Sequence, residues 1–344
     1  MILDGFGYMS DIRTVTGSIN SDGVILFSIV KNEKFFIESF LNHYRSIGVS
    51  QFVILDDKSD DGTFEYLCDQ KDVMVLGSEH NFGDKFFRFE GFHLKKRRRG
   101  TAWKISIPKH YCGNRWAIYA DADEFLLLPS GFGGIEALCR FADSKNITAI
   151  PASLFELYPE SIFDLETHIS PRCLSDMIDA YPFFDAAPIT EWVSGEKKGR
   201  KLGHSVTERL FAQYNIGEEK KLNNANAIYA PQRVNIRNSG GIHKVPLVYW
   251  KDNYKYTGSH GINTIPTNHI LLSLCHFKFT FDLRRKIDEA IATKAYAGGS
   301  TKYIGYQTLF EKMKAGDGSF LSDSSQKYEG VEQLIDCKLM KFDF

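Results

Sequence analysis

Short apolar segments alternate with amphipathic ones through the first third of the chain. Four segments have the length and the β-branched or aromatic content of buried strands: residues 24–30, 52–55, 73–76 and 116–120. After the first of them, apolar side chains recur at helical spacing from Phe36 to Ile47, which predicts an amphipathic helix. The alternation predicts an α/β fold with a mostly parallel sheet and helices on both faces.

A long basic segment follows the third predicted strand. Its composition predicts a helix over residues 85–107, although Gly91 and Gly100 weaken the pattern, and Pro108 should end it. The run Lys-Lys-Arg-Arg-Arg at 95–99 could attract a phosphorylated ligand, anionic lipid headgroups or nucleic acid, or could be a solvated helix face. Because no aromatic stacking platform accompanies this short run, we expect no nucleic-acid partner.

The pattern loosens after Pro129. Strands are predicted at residues 147–154 and 271–279, and helices at 134–143, 282–296 and 303–313. Residues 155–240 are rich in Pro, Gly, Asn and charge and give no assignment. We therefore expect three parts: a loosely structured leader (1–22), one large domain (23–280) and a C-terminal helical extension (281–344).

The fourth predicted strand ends in three carboxylates, Asp121, Asp123 and Glu124. In open α/β sheets, ligands bind at the carboxyl ends of strands, so the loops at 31–33, 56–61 and 121–124 should meet in one crevice. Two aspartates two residues apart can share a hard divalent cation such as Mg²⁺ or Mn²⁺, which also binds substrate phosphates. A solvated acidic turn is the alternative explanation.

Composition and charge narrow the possible partners. The 344-residue chain is 43% hydrophobic and carries a formal net charge of -1, so no overall field favours nucleic acid or a membrane surface. Its six cysteines show no zinc or disulfide spacing. No signal peptide or membrane-spanning run is evident. These features predict a cytoplasmic protein with at most peripheral contact at the inner face of the membrane.

Several motifs together resemble family-2-like glycosyltransferases of the GT-A fold. In the first half they are Val30-Lys-Asn-Glu33, the stretch 54–63 (Ile-Leu-Asp-Asp-Lys-Ser-Asp-Asp-Gly-Thr) and Tyr119-Ala-Asp-Ala-Asp-Glu-Phe-Leu126, the last in the Asp-x-Asp-Glu-Phe form of a bacterial subgroup. Lys244-Val-Pro-Leu247, Ser259-His260 and Leu274-Cys-His-Phe-Lys-Phe279 are similar to the subgroup's C-terminal pattern. The resemblance covers roughly residues 23 to 315. It implies a GT-A-like, Rossmann-related catalytic domain with a nucleotide-binding half (23–130) and an acceptor-binding half (131–280).

The resemblance also implies a metal site. In such enzymes, the Asp-x-Asp motif holds Mn²⁺ or Mg²⁺ against the diphosphate of a nucleotide sugar. Asp123 would ligate the metal, and Asp121 would bind the metal or the ribose. A later histidine often completes the ligand set; here His276 is the first choice and His260 the alternate.

The same family pattern implies the binding residues for the nucleotide sugar. Asp56 would contact the base or ribose, and Lys31 and Glu33 would line the nucleotide pocket. Lys278, two residues after His276, would face the same side of a strand and contact the diphosphate.

The implied reaction moves a sugar from a nucleoside-diphosphate sugar to a glycan or lipid-linked acceptor, in synthesis of a bacterial surface polysaccharide or lipopolysaccharide. Inverting transfer needs a carboxylate base. Glu156, just beyond a predicted strand, is our nominal choice among Glu156, Asp185, Glu191 and Glu208; a retaining mechanism would not require this base.

Two other functions stay open at this stage. A noncatalytic nucleotide- or sugar-binding module could keep the same fold. A phosphohydrolase of the haloacid-dehalogenase type also places Asp-x-Asp after an apolar strand, but usually at the first strand, whereas here three strand–helix units precede it.

Overall fold

The computed structural model describes residues 11–90, 93–216, 241–258, 260–294 and 300–344, with the backbone alone at 88–90 and 93–95. The strands are β1 Ile12–Thr16, β2 Ile25–Val30, β3 Gln51–Asp56, β4 Val73–Ser78, β5 Lys85–Glu90, β6 His93–Arg98, β7 Trp116–Tyr119, β8 Glu124–Leu127, β9 Ala149–Glu156, β10 Phe183–Asp185, β11 Thr190–Glu191, β12 Arg200–Lys201, β13 His243–Tyr249, β14 Ile270–His276, β15 Ser325–Lys327 and β16 Lys341–Phe342. The helices are α1 Ile37–Ser46, α2 Thr63–Cys68, α3 Arg99–Tyr111, α4 Ile135–Ser144, α5 Leu174–Ala180, α6 Val206–Gln213, α7 Leu283–Thr293, α8 Thr301–Ala315 and α9 Val331–Asp336, with a 3-10 helix at Ile162–Glu166.

One large mixed sheet organises the fold. Its strand order is β1-β4-β3-β2-β7-β13-β9-β14-β16, with β8 also paired to β14. The run β4-β3-β2-β7 is parallel, as is the β9–β14 pair, whereas β13 is antiparallel to both of its neighbours. The α/β prediction is confirmed, and the parallel strands lie centrally in a sheet that is mixed overall.

Both faces of the sheet are covered, because successive strand side chains point to opposite faces. Leu26 of β2 belongs to the core cluster that includes Phe40 of α1. The next residue, Phe27, belongs to the cluster on the other face, with Trp103 of α3. The short apolar runs are therefore buried on both sides, which explains why they lack a polar alternation.

The predicted helix over residues 85–107 is wrong in its first half. Residues 85–90 and 93–98 form the antiparallel strands of the β5–β6 hairpin, and α3 begins only at Arg99. The aromatic residues of Lys85-Phe-Phe-Arg-Phe-Glu90 favour an extended strand. Gly100 does not break the helix; a Cβ there would lie 2.1 Å from the ring of Phe82, so glycine permits this close packing. Pro108 lies inside the last turns of α3 and does not end it.

Both ends of the chain contribute more structure than expected. The leader prediction is wrong for residues 12–16, which form β1 antiparallel to β4; residues 1–10 lie outside the described part. The extension over 281–344 contains α7, α8 and α9, yet it also returns β15 to β10 and β16 to β14. Within the described residues, no helix is long and apolar enough to cross a bilayer.

Leu339 connects this C-terminal segment to the main core. Its side chain is fully buried, and its carbonyl oxygen accepts hydrogen bonds from the hydroxyls of Ser153 and Ser273.

Leu339→Ala should lower the free energy of unfolding, measured in urea, by about 2–5 kcal/mol, the usual cost of emptying a buried leucine site. Ile335→Ala, at a 36% exposed position of α9, is the matched control and should cost about 1 kcal/mol or less. Equal costs would show that the segment is not part of the cooperative core.

Candidate functional site

The loops after β2, β3 and β7 meet at one edge of the sheet and line a cavity of about 410 Å³. Lys31 and Glu33 come from the first loop, Asp57 from the second, and Asp121 and Asp123 from the third. Parallel strands bring their carboxyl ends to one edge, so this convergence follows from the sheet topology. Helices α7 and α8 form the opposite wall.

Three side chains in this cavity form a group that could hold a metal ion. One ligand atom each from Asp123, Glu124 and His276 lies within 4.8 Å of the others. The register of β14 assembles them: His276 is opposite Glu124 of β8 on one side and Glu156 of β9 on the other. His276 Nε2 lies 3.4 Å from Asp123 Oδ2. Two carboxylates and an imidazole are side chains that a divalent metal ion can share as ligands.

Asp123 is held ready as a carboxylate. Burial would raise its pKa, but His276 and the ammonium groups of Lys286 and Lys278 more than offset this and hold the pKa below its ordinary value. A deprotonated oxygen is what a metal ion requires of a carboxylate ligand. The Nδ1 atom of His276 is also buried, and it has no hydrogen-bond partner.

Glu124, which the sequence pattern assigns no binding role, joins the ligand group, while Asp121 lies beside it. The carboxylate of Asp121 accepts hydrogen bonds from the Tyr119 hydroxyl (2.6 Å) and from Lys244 Nζ (2.8 Å). Lys244 also donates to Glu124 Oε2, which in turn accepts the backbone N–H of Asp121. This arrangement makes Asp121 an anchor of the acidic loop more than a direct ligand.

Lys244 is a site residue that sequence reasoning missed as such. Its side chain is 2% exposed, yet Asp121 and Glu124 overcome the burial and raise its pKa above the ordinary value. The same lysine, with Lys104, lowers the pKa of Asp121 well below its usual range against the effect of burial. A lysine in an apolar strand pattern was the available signal, because lysine is rarely buried unless it is paired.

His260, the alternate metal ligand, lines the cavity but is not in the ligand group. Its Nδ1 lies 2.9 Å from the backbone oxygen of His243. The described cluster of potential metal ligands does not include it. His276 is thus the better placed of the two histidines.

Of the residues predicted to bind the nucleotide, Lys31 and Glu33 line the cavity, whereas Asp56 does not. Asp56 is buried; its Oδ2 accepts the Ser59 N–H at 3.0 Å, and its Oδ1 has no hydrogen-bond partner. Asp57, not Asp56, lines the cavity, and its Oδ1 accepts the Phe82 N–H at 3.0 Å. Burial raises the pKa of Asp57 to about 6. Lys31 Nζ lies 3.6 Å from Glu289 Oε1.

Glu33 forms a second, partly exposed ion pair in the cavity. Both of its oxygens accept hydrogen bonds from Lys286 Nζ, at 3.0 and 2.7 Å. Burial raises the pKa of Glu33 to about 7, although Lys286 opposes this shift. Lys286 belongs to α7, and no sequence signal marked it.

A basic and aromatic wall faces the acidic group. Lys278 Nζ lies 5.7 Å from the ring centre of Tyr303 and 5.6 Å from that of Tyr306. Lys302 lies 5.7 Å from the Tyr306 ring, and burial lowers its pKa. Lys278 follows the end of β14, so it does not extend the strand as predicted, but it does line the same cavity as His276.

Glu156 lies at the end of β9, on the floor of the cavity. It is 7% exposed, and its two oxygens accept hydrogen bonds from the backbone N–H and the hydroxyl of Thr207, both at 3.0 Å. Its Oε1 lies 3.9 Å from His276 Nδ1. These contacts fix the carboxylate beside the ligand group.

Removing the buried ammonium should destabilise the whole site. Lys244→Met keeps the chain length but leaves Asp121 and Glu124 without their shared cation, so the free energy of unfolding at neutral pH should fall by about 3–5 kcal/mol. The deficit should shrink as the pH falls, because protonation removes the uncompensated negative charge. Urea titrations at several pH values measure both effects. Lys251→Met, at an exposed position, is the control; a Lys244→Met protein as stable as the parent would refute this assignment.

Two comparisons with known proteins add nothing to this geometry. No protein-family model matches the chain. No curated protein matches it either. The chemistry of the cavity therefore carries the functional conclusion.

Proposed function

We propose that the protein is a metal-dependent glycosyltransferase with a GT-A-like domain, which transfers a sugar from a nucleoside-diphosphate sugar. The observation that carries the proposal is the pairing of an acidic group with a basic wall in one cavity. Asp123, Glu124 and His276 fit a divalent cation, and Lys278 lines the same cavity, while Lys286 is paired with Glu33. A cation and ammonium groups together are what a diphosphate needs.

The donor's leaving group explains this combination. A nucleoside diphosphate gains negative charge as the glycosidic bond breaks, and bound Mn²⁺ or Mg²⁺ would act as a Lewis acid on that charge. Lys278 adds a positive charge to the same cavity, where a pre-positioned ammonium group can stabilise the departing diphosphate electrostatically. We assign the contacts with the nucleoside to Lys31, Glu33 and the loop after β3.

Sheet order supports a GT-A-like arrangement. The parallel run β4-β3-β2-β7 carries the donor residues, and the antiparallel β13 next to it supplies Lys244. The second half, from β9 onward, supplies Glu156 and His276 and would bind the acceptor. We propose a glycan or lipid-linked acceptor in bacterial surface polysaccharide or lipopolysaccharide synthesis, with the enzyme cytoplasmic and at most peripherally attached to the membrane.

Glu156 is the best placed of the four candidate bases for an inverting reaction. Asp185 is occupied by Arg209, whose Nε lies 2.8 Å from its Oδ2. Glu208 caps α6 and binds Lys201, and Glu191 lies on the short β11–β12 hairpin beside Arg200. Of the four, only Glu156 lines the described cavity.

The phosphohydrolase alternative fits the site less well, whereas the binding-module alternative fits the same geometry. In a phosphohydrolase of the haloacid-dehalogenase type, the first aspartate would be the nucleophile, but Asp121 is engaged by Lys244 and Tyr119. A noncatalytic binding module would use the same cavity and differ only in turnover.

A thermal-shift panel tests the donor site. UDP, GDP, CMP and ADP are each added with and without Mn²⁺, and ligand binding to the native state raises the melting temperature. One nucleoside diphosphate should stabilise the protein only when Mn²⁺ is present, by about 2.7 kcal/mol at a hundredfold excess over its dissociation constant. Asp123→Ala should lose this shift, because it removes a ligand oxygen.

Asp252→Ala removes an exposed carboxylate at the opposite edge of the sheet and serves as the matched control. It should keep the full nucleotide shift. If no nucleotide stabilises the folded parent protein, the glycosyltransferase proposal fails. A shift without any donor hydrolysis or transfer would favour the noncatalytic binding module.

Glu156→Gln tests the base once a donor is identified. Glutamine keeps an acceptor for Thr207 but cannot take a proton, so kcat should fall about 10²–10⁴-fold with little change in the donor's KM. Glu191→Gln is the matched control and should stay near the parental rate. A parental rate for Glu156→Gln would indicate a retaining mechanism or a different base.

A further inference from the structure

The β5–β6 hairpin stands apart from the main sheet. Its two strands pair only with each other among the described strands, in antiparallel register. Phe86 is opposite Arg97, Phe87 opposite Lys96, and Lys85 opposite Arg98. Directly opposed residues share a face, so Lys85, Phe87, Lys96 and Arg98 lie on one face of the hairpin, which we call the outer face.

The other face of the hairpin packs against the start of α3. The guanidinium of Arg99 lies 5.1 Å from the ring centre of Phe86. Arg99 also pairs with Asp11 at 3.3 Å, and Trp103 Nε1 donates to the same carboxylate at 3.4 Å. Since Phe86 is fixed inward, the next residue, Phe87, must point outward.

The outer face combines an exposed aromatic ring with concentrated positive charge. Phe87 is 61% exposed, and Lys85 and Lys96 are exposed beside it. The strand register places Lys85 opposite Arg98 and on the same face as Lys96, and partial burial and repulsion from these two cations lower the pKa of Lys85. The chain as a whole has a net charge of -1, so this charge is a local feature.

An anionic lipid surface is complementary to the outer face in charge and in apolar character. Cationic side chains are attracted to the charged headgroups, and an aromatic ring next to them is stabilised at the headgroup–acyl boundary. An aromatic ring that is exposed to water has no comparable stabilisation. A nucleic acid would contact a more extended basic surface, and the described outer face offers a single ring for stacking.

The outer face also continues into the candidate site. Arg98, at the base of the hairpin, lines the cavity together with Phe82. A surface bound to the hairpin would therefore lie at the mouth of the cavity.

We propose that the outer face of the β5–β6 hairpin docks the protein onto anionic lipid membranes. The contact places the mouth of the cavity at the headgroup layer, where a lipid-linked molecule would be within reach. Docking itself needs neither a metal nor a nucleotide sugar, so its test is independent of the proposed reaction.

Flotation of the full chain with lipid vesicles measures this binding directly. Vesicles of phosphatidylcholine alone are compared with vesicles that also contain phosphatidylglycerol, at low and at high salt. The protein should float with the anionic vesicles only, and less so at high salt because screening weakens the attraction. The double variant Lys85→Gln/Lys96→Gln should lower the partition coefficient about 30-fold, since each lysine near an anionic surface contributes roughly a factor of five.

Phe87→Ser should weaken vesicle binding several-fold at both salt concentrations, because loss of apolar insertion does not depend on screening. The controls remove equivalent groups at the opposite edge of the sheet: Lys71→Gln/Lys251→Gln for charge, and Ile265→Ser, at a 50% exposed position, for apolar surface. Both controls should bind like the parent. Melting temperatures equal to the parent's establish that each variant is folded.

Three outcomes would overturn the proposal: no flotation of the parent protein with anionic vesicles, hairpin variants that bind as the parent does, or control variants that lose binding equally. A labelled DNA duplex and single strand are tested in parallel. Binding to nucleic acid without binding to vesicles would assign the outer face to a different partner.

Discussion

The buried ammonium of Lys244 is the interaction on which the site depends. It lies between Asp121 and Glu124 with almost no exposure to water. Taking the Lys244 ammonium and the Glu124 carboxylate out of water is costly, and their mutual attraction offsets that cost only when the geometry is good. Asp121, whose side chain is 37% exposed, is the second partner of the ammonium. The two acidic residues are also linked directly, because the Glu124 carboxylate accepts a hydrogen bond from the backbone N–H of Asp121. The loop between β7 and β8 is thereby held in one shape, with Asp123 turned toward His276.

Strand β14 gives the site its second constraint. It pairs antiparallel with β8 and parallel with β9, so that His276 lies between Glu124 and Glu156. A slip of one residue in this register would turn the histidine to the other face and separate it from both carboxylates. The proposed metal site and the proposed base are therefore set by a single strand register, and the C-terminal β16 pairs with the first residues of the same strand, on the edge opposite β9.

Charge is divided across the cavity in a way that suits the proposed chemistry. The acidic group lies at the sheet edge, where a cation could be held, and the lysines of α7 and α8 face it. Glu33 and Lys286 neutralise each other, while Lys278 is placed against two tyrosine rings. Aromatic rings hold an ammonium group without neutralising it, so it stays available to an anionic ligand.

The sequence by itself determined the α/β alternation, the strands at the centre of the sheet, and the place of the acidic loop at a strand end. These are local properties, written in apolar periodicity and in the position of Asp121 and Asp123 after a buried run. Residues 274–279 also single out His276, through their resemblance to a known C-terminal pattern. The basic composition after residue 85 indicates a helix, but the aromatic residues of that stretch favour the β5–β6 strands that the structure has there.

Only the tertiary structure decided which charged groups meet. Lys244 lies 120 residues or more from its carboxylate partners in sequence, and Lys286 lies 253 from Glu33. No local pattern encodes such pairs, because they arise from strand order and from the packing of α7 against the sheet edge. The tertiary structure also decides that Asp57, and not the predicted Asp56, lines the cavity. Successive side chains at the end of a strand point in opposite directions, and only the completed sheet fixes which direction leads to the cavity.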